Sequence, residues 1–592
     1  MVLKEKIQKW QNWIIALVPV LILGFFAGFY FDYYYDLNDD VLMKDILAGV
    51  YTGMPEGHNI QMLWPVSAFI SGLYRIAGTL PWYGLFLCGC HFLCMLLITG
   101  RATALCRSVR GKLLVAAVSG ILFGAFFLSH LIFAQYTVTC TLLGATAAFW
   151  FYTTDIELKT STFIKKNILP VVLVALAYLI RSEMLLLVLP MICVAGACKW
   201  GSEKRIFTKD HAVKYLSVIG LILGGIVLGQ AVHMFAYGSS QWRSFTEFFD
   251  NRTELYDFQA PPAYEENKEF YDNIGLTENE KILFDNYNFG INEEIDEKLI
   301  GEVAVYAGEI RKEGTPFADN LKEKLKDYVY RLTHGSGDVG SDYPWNYLVI
   351  MGYLAVFVMA FPMKNVWGIS WKLTFLFGVR TVLWMYILLG ERAPERITHS
   401  LYLMEFCILI AMLFMEWQRI VSARTAGLLG GLSLVAFVML AVSVFPQSVW
   451  QVEREQQYRK MVNAPYQELY SYLSGEENRE NFYFIDVYSS VAYSEKMFEN
   501  VDNSIDNYDI MGGWACKSPL WRKKLAAYDI SSIEQALRGR EDVFFVRRTS
   551  ENMQWLTAYY EDHGTPVEPV LVETVAGEFE IYAVKAREAL QE

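Results

Sequence analysis

Residues 11–31 read QNWIIALVPVLILGFFAGFYF, and residues 32–40 read DYYYDLNDD. The first part is an uncharged apolar run, long enough as a helix to cross a hydrocarbon core of ~30 Å. A cleaved signal peptide has a shorter apolar region and a small-residue cleavage site. This run has neither, so it predicts a retained transmembrane helix. The second part turns abruptly to aspartate and tyrosine at the point where that helix leaves the membrane.

The same apolar habit recurs along the chain. Of 592 residues, 54% are hydrophobic and only 19% charged, against about 25% charged in soluble domains. The formal charge of −13 argues against nucleic acid or another polyanion as partner. Eleven spans are predicted, at 11–31, 82–105, 113–131, 137–153, 168–180, 184–199, 215–236, 346–363, 369–390, 398–416 and 425–445. The expected fold is therefore mainly α, a polytopic helical bundle.

Basic loops stay on the cytoplasmic side of a membrane. Lys4, Lys6 and Lys9, Arg101 to Lys112, Lys159 to Lys166, Lys199 to Lys214, Lys364, and Arg419 with Arg424 all fall on one side if eleven spans is correct. The N-terminus is then cytoplasmic and the C-terminus outside. Reading 168–199 as one helix would break this pattern, so a hairpin with Arg181-Ser182-Glu183 at its apex is preferred. Irregular, charged backbone at that depth is tolerated against protein or a watery cavity.

Three regions then lie outside: 32–81, 237–345 and 446–592. The middle one carries 23 acidic and 11 basic residues, which is acidic sorting and little more. The chain divides into a transmembrane part, 1–445, and an outer α/β part, 446–592. In the latter, 464–474 and 550–562 read as helices and 482–485 and 543–546 as buried strands. Residues 568–575 and 578–585 read as a closing pair around Ala576-Gly577. No phosphate-binding glycine loop, dinucleotide fingerprint, HExxH or GxSxG occurs. The cysteines lack zinc-site spacing.

The first outer region carries the chemistry. Asp39-Asp40 opens a helical stretch over 39–52, followed by turn residues at Gly53 and Pro55-Glu56-Gly57-His58. Residues 60–78 then read as an interfacial aromatic helix. A carboxylate held at a membrane surface can serve as general base on an acceptor hydroxyl or amine. It can also hold a divalent cation against a phosphate leaving group; no metal-ligand set is assigned and no other cofactor is expected. Adjacent residues on a helix point ~100° apart, so the two aspartates are not expected to share a role. The plainer reading is a solvated, capped helix start.

This order of features resembles the GT-C class of polytopic glycosyltransferases over roughly residues 1–110. Bacterial members often carry Asp-Glu and His-Pro-Pro where this chain has Asp39-Asp40 and His58-Asn59-Ile60. The resemblance implies an enzyme of a bacterial plasma membrane. It would move a sugar from a polyprenyl-phosphate carrier to a glycan, lipid or protein acceptor on the outer face, with inversion. Asp39 or Asp40 would be the base, and His58 would sit by the substrate.

A lipid-phosphate donor calls for cations, which arginine supplies through its planar fork of donors. Arg392 and Arg396 in the turn Glu391-Arg392-Ala393-Pro394-Glu395-Arg396 are the first candidates, and Arg181 with Glu183 the second. Arg380, ~15 Å inside its span by helical rise, is expected to pair with Glu405, because unpaired charge there is costly. His91 and His130 read as satisfied helix histidines. A lipid-linked glycan polymerase or ligase, a transporter, and a non-catalytic scaffold are the competing readings.

Overall fold

The structure is a computed structural model that describes residues 2–587 apart from 207, 314–316, 336–339 and 421. The first helix, α1, covers Val2–Tyr30; its first turns hold Lys4, Lys6 and Lys9, whose side chains lie outside the described set. The chain then forms a two-residue strand β1 (Tyr34–Tyr35), α2 (Asn38–Ala48) and α3 (Trp64–Ile76). Helix α3 is amphipathic as expected: Val66, Ile70 and Tyr74 are buried, while Phe69 is 61% exposed. Pro65 suits its first turn, where an amide hydrogen has no helical partner.

Next come α4 (Trp82–Leu105), α5 (Val109–Phe126), α6 (Leu128–Ile132), strand β2 (Phe133–Ala134), α7 (Tyr136–Thr153), α8 (Thr160–Lys166), α9 (Ile168–Ile180), α10 (Ser182–Trp200) and α11 (Lys209–Ala236). The segment after α11 adds α12 (Ser240–Thr253), α13 (Lys268–Asn273), α14 (Glu278–Asp285), α15 (Glu297–Glu313) and α16 (Phe317–Thr333). The bundle finishes with α17 (Trp345–Val358), α18 (Val366–Leu389), α19 (Glu395–Arg419) and α20 (Ala423–Leu473).

Every apolar run read as a span is helical, but fewer helices than eleven have the length and apolarity to cross a membrane. Among the described residues there are eight, or nine if α8 and α9, bent 42° apart, count as one broken span. Helix α7 falls short because it carries Thr137, Thr139, Thr141, Thr146 and Thr153, all buried among other helices. The hydroxyls of Thr139, Thr141, Thr146 and Thr153 return to carbonyls four residues earlier, as Thr146 does to Leu142 at 2.7 Å. Helix α17 stops after 14 residues. The break expected at the apex of 168–199 is present: Arg181 is extended, with φ −152° and ψ 95°, between α9 and α10.

The bundle has a basic end and an opposite end. At the basic end Arg101 donates to the Thr153 hydroxyl and carbonyl at 2.9 and 2.6 Å, and Lys199 donates to the Tyr152 carbonyl at 2.7 Å. These cations cap the C-terminus of α7, where the helix dipole is negative.

The tail forms β3 (Phe482–Ile485), α21 (Val487–Ser490), β4 (Tyr508–Ile510), α22 (Pro519–Ala526), α23 (Ile533–Gly539), β5 (Val543–Arg548), α24 (Gln554–Asp562), β6 (Val567–Val575) and β7 (Phe579–Ala586). The sheet order is β4-β3-β5-β7-β6, with β4, β3 and β5 parallel and β5, β7 and β6 antiparallel. Ala576 and Gly577 turn between β6 and β7 with φ of 54° and 68°, the left-handed pair a tight hairpin requires. Strand β3 is buried on both faces. Phe482 and Phe484 join the large core shared with the bundle, while Tyr483 and Ile485 pack on Tyr466, Leu469 and Leu473 of α20. The line drawn between 445 and 446 falls inside α20, which continues unbroken from the bundle into the tail.

Candidate active site

Helix α2 begins where β1 ends, and that short strand fixes where α2 points. Tyr34 and Tyr35 pair in parallel with Phe133 and Ala134. On the other side, Tyr35 donates its amide to the Glu495 carbonyl at 3.0 Å, and Met497 donates to Tyr33 at 2.8 Å. Arg459 of α20 reaches the same segment, donating to the Tyr35 carbonyl at 2.9 Å and pairing with Asp36 at 3.2 Å. The acidic segment is thus held by the bundle, by α20 and by the tail together.

The two aspartates are treated differently. Asp40 is fully buried. Its Oδ1 accepts a 2.7 Å hydrogen bond from the Tyr83 hydroxyl, and its Oδ2 is buried without a hydrogen-bond partner among the described residues. Burial pushes its carboxyl well above the ordinary range, against the pull of the Tyr83 bond, and the charges of Asp39 and Asp36 push it further. Asp39, one residue earlier, is half-buried and makes no hydrogen bond or ion pair among the described residues. Its charge acts on Tyr136 and Arg181.

Arg181 sits at the break between α9 and α10. It donates to Gln61 Oε1 at 2.5 Å, approaches Glu183 at 3.2 Å and lies 5.1 Å over the Tyr136 ring. Arg392 is paired with Asp257 at 2.9 Å and lies 5.1 Å over the Phe258 ring. Arg396, half-buried in the first turn of α19, has no ion pair within 4 Å among the described residues. Its charge acts on Asp36 and Tyr136. Asp36 is nevertheless raised, because burial outweighs Arg459 and Arg396. The charges of Asp39, Arg181 and Arg396 thus all act on Tyr136.

The other candidates lie elsewhere. His58 holds the loop after α2 in place: Nδ1 is 2.7 Å from Glu56, Nε2 is 3.2 Å from the Ala236 carbonyl, and the ring stacks on Trp242. Burial would raise the Glu56 carboxyl, but bonds from the His58 ring and backbone and from Gly57 bring it down to about 2. Arg380 pairs with Glu405 at 2.8 Å, as expected, and donates to the Tyr328 hydroxyl at 2.5 Å. Both are buried. His91 bonds Thr139 at 2.8 Å, and His130 bonds His399 at 2.9 Å. Among the described residues no group of three His, Cys, Asp or Glu side chains is placed to hold a metal ion.

Sequence reasoning missed Tyr83, Gln61, Tyr136 and Arg459. A tyrosine at the outer start of a span is an interfacial commonplace, so Tyr83 carried no distinguishing signal. Arg459 lies in a charged helical stretch that reads as solvated.

No protein-family model matches the chain. No curated protein matches it. Two solved structures are similar to it: crystal structures of ArnT from Cupriavidus metallidurans, one bound to undecaprenyl phosphate and one in the apo state. Each is 10% identical, covers 96% of this chain and 97% of that one, and has a TM-score of 0.39.

Proposed function

We propose that this chain is an integral membrane glycosyltransferase that moves a sugar from a polyprenyl-phosphate carrier to an acceptor at the end of the bundle where Asp39 lies. The observation that carries this reading is the asymmetry of the aspartates: Asp39 half-buried and unpaired among the described residues, its charge acting on Tyr136 together with those of Arg181 and Arg396, and Asp40 fully buried against Tyr83. Asp39 takes the proton from an acceptor hydroxyl or amine as that atom attacks the anomeric carbon. The bond from that carbon to the phosphate oxygen breaks, and polyprenyl phosphate leaves with the electron pair. Arg396, free of a competing carboxylate, meets the phosphate, and Arg181 adds positive charge on the Asp39 side. Attack opposite the leaving group inverts the sugar carbon. The basic end of the bundle faces the cytoplasm and the Asp39 end faces outward. Residues 446–592 keep the acidic segment in place through Arg459 and residues 495–497.

The test is complementation of a deletion strain, with cell-surface glycan and protein level both measured. Asp39→Asn should lose the glycan at unchanged protein level. Arg396→Gln should demand more donor, raising KM for the lipid more than it lowers kcat. Full glycan in the Asp39→Asn strain would contradict the reading.

A further inference from the structure

A cavity that Asp39 does not line lies among the long apolar helices. It is a cavity of about 400 Å³ between α4, α5, α17, α19 and α20, within the ~300–1,000 Å³ common for small-molecule sites. Its walls are apolar, with Leu114 and Val118 from α5, Phe406 and Ile410 from α19, and Leu434 and Phe437 from α20. Gly427 and Gly431 of α20 also line it, and a Cβ added to either would meet nothing within 4 Å. Bare backbone on α20 thus keeps the space open.

The two ends of this cavity differ. Phe126, Phe127 and Trp345 line it at the C-terminal end of α5. Phe126 and Trp345 meet edge to face at 5.9 Å, and Trp345 stacks at 5.3 Å on His399. Ser108, Arg110 and Gly111 line it at the N-terminal end of α5. Arg110 is exposed, has no ion pair within 4 Å among the described residues, and is the charged side chain of the lining. Ser108 caps the helix by accepting from the Gly111 amide at 3.1 Å, and the positive end of the helix dipole adds to the attraction of Arg110 for an anion.

We propose that this cavity is a binding site for one acyl chain of an anionic phospholipid, taken from the leaflet opposite Asp39, with its phosphate at Arg110 and the first turn of α5. Mainly apolar walls suit a hydrocarbon chain. Arg110, the one charged side chain of the lining, suits a phosphate. Asp39, Arg181 and Arg396 are not among the lining residues, so this occupant is distinct from the donor lipid proposed above. The assignment does not depend on the transferase reading.

The test uses full-length protein, delipidated in mild detergent and mixed in turn with phosphatidylglycerol, phosphatidylcholine and undecaprenyl phosphate, read by native mass spectrometry. One phosphatidylglycerol should be retained at least tenfold more tightly than phosphatidylcholine. Arg110→Glu should weaken it at least tenfold. Gly431→Leu fills the space while favouring the helix and should abolish the adduct at unchanged circular dichroism. If Gly431→Leu does not fold, the surface variant Arg110→Glu decides alone. Equal retention of both phospholipids, or retention unchanged in Arg110→Glu, overturns the proposal. So does undecaprenyl phosphate displacing phosphatidylglycerol in an Arg110-dependent way, which would make the cavity part of the donor site.

Discussion

Burial keeps the Asp40 carboxyl protonated where an exposed aspartate ionises, since an ionised Oδ2 without a partner would be costly. The consequence is a pH-dependent stability of definite sign. Above the ordinary aspartate value of ~3.9, the unfolded chain has released this proton while the folded chain keeps it. Asp40 therefore costs stability as pH rises from that value toward neutrality. Asp40→Asn has no proton to lose and keeps the acceptor for Tyr83. Its melting temperature should gain on the wild type as pH goes from 4.5 to 7.5, and a constant gap would refute the neutral Asp40. The buried pair of Arg380 and Glu405 gives a second expectation. Removing one partner leaves a buried charge and should cost about 3–5 kcal/mol, whereas Arg380→Met with Glu405→Leu should recover most of it; thermal unfolding of the three variants in detergent measures this. That pair was legible in the sequence because charge at such depth demands a partner. The split between Asp39 and Asp40 was only half legible. Helical geometry separates neighbours, but which one is buried depends on Tyr83, 43 residues away.

Elements with a periodic or compositional signal were read correctly, and those built from few residues were not. The apolar helices, the interfacial α3, the break at Arg181 and strands β3, β6 and β7 all announce themselves by run length, alternation or turn residues. Strands β1 and β2 are two residues each and pair across a long separation, so no local pattern reveals them. Helix α7 was taken for an ordinary span because its threonines hide their hydroxyls within the helix. Helix α20 matters to the site because it carries Arg459 onto β1 and Asp36. Arg459→Ala removes charge-assisted bonds of ~1.5–3 kcal/mol each. Amide exchange over residues 32–38 should quicken at least tenfold while exchange in α18 and α19 stays unchanged. Unaltered exchange in the 32–38 segment would show that α20 does not hold it.

The tail and the bundle are built as one body rather than as a head on a stalk. Lys44 of α2 pairs with Glu495 of the tail at 2.9 Å, Tyr51 donates to Asp509 at 2.9 Å, and Asn288 donates to Asp486 at 2.6 Å. The outer loop and the tail approach so closely at Gly512 that an added methyl would run into the Tyr287 carbonyl oxygen. Gly512→Ala should therefore unseat the tail, lowering stability by about 1–3 kcal/mol and opening the 487–516 region to limited proteolysis. A protease pattern like that of the wild type would show that the seat is looser than described. Such docking was not readable from the sequence, because it rests on carboxylates and amides brought together from segments hundreds of residues apart. If the tail does position the acidic segment, turnover must still depend on one carboxylate. The direct measurement is release of polyprenyl phosphate from a radiolabelled polyprenyl-phosphate sugar by the purified full chain. Asp39→Asn should slow release by about 100-fold or more at unchanged melting temperature. Release at the wild-type rate from Asp39→Asn would contradict the assignment of Asp39 as the base.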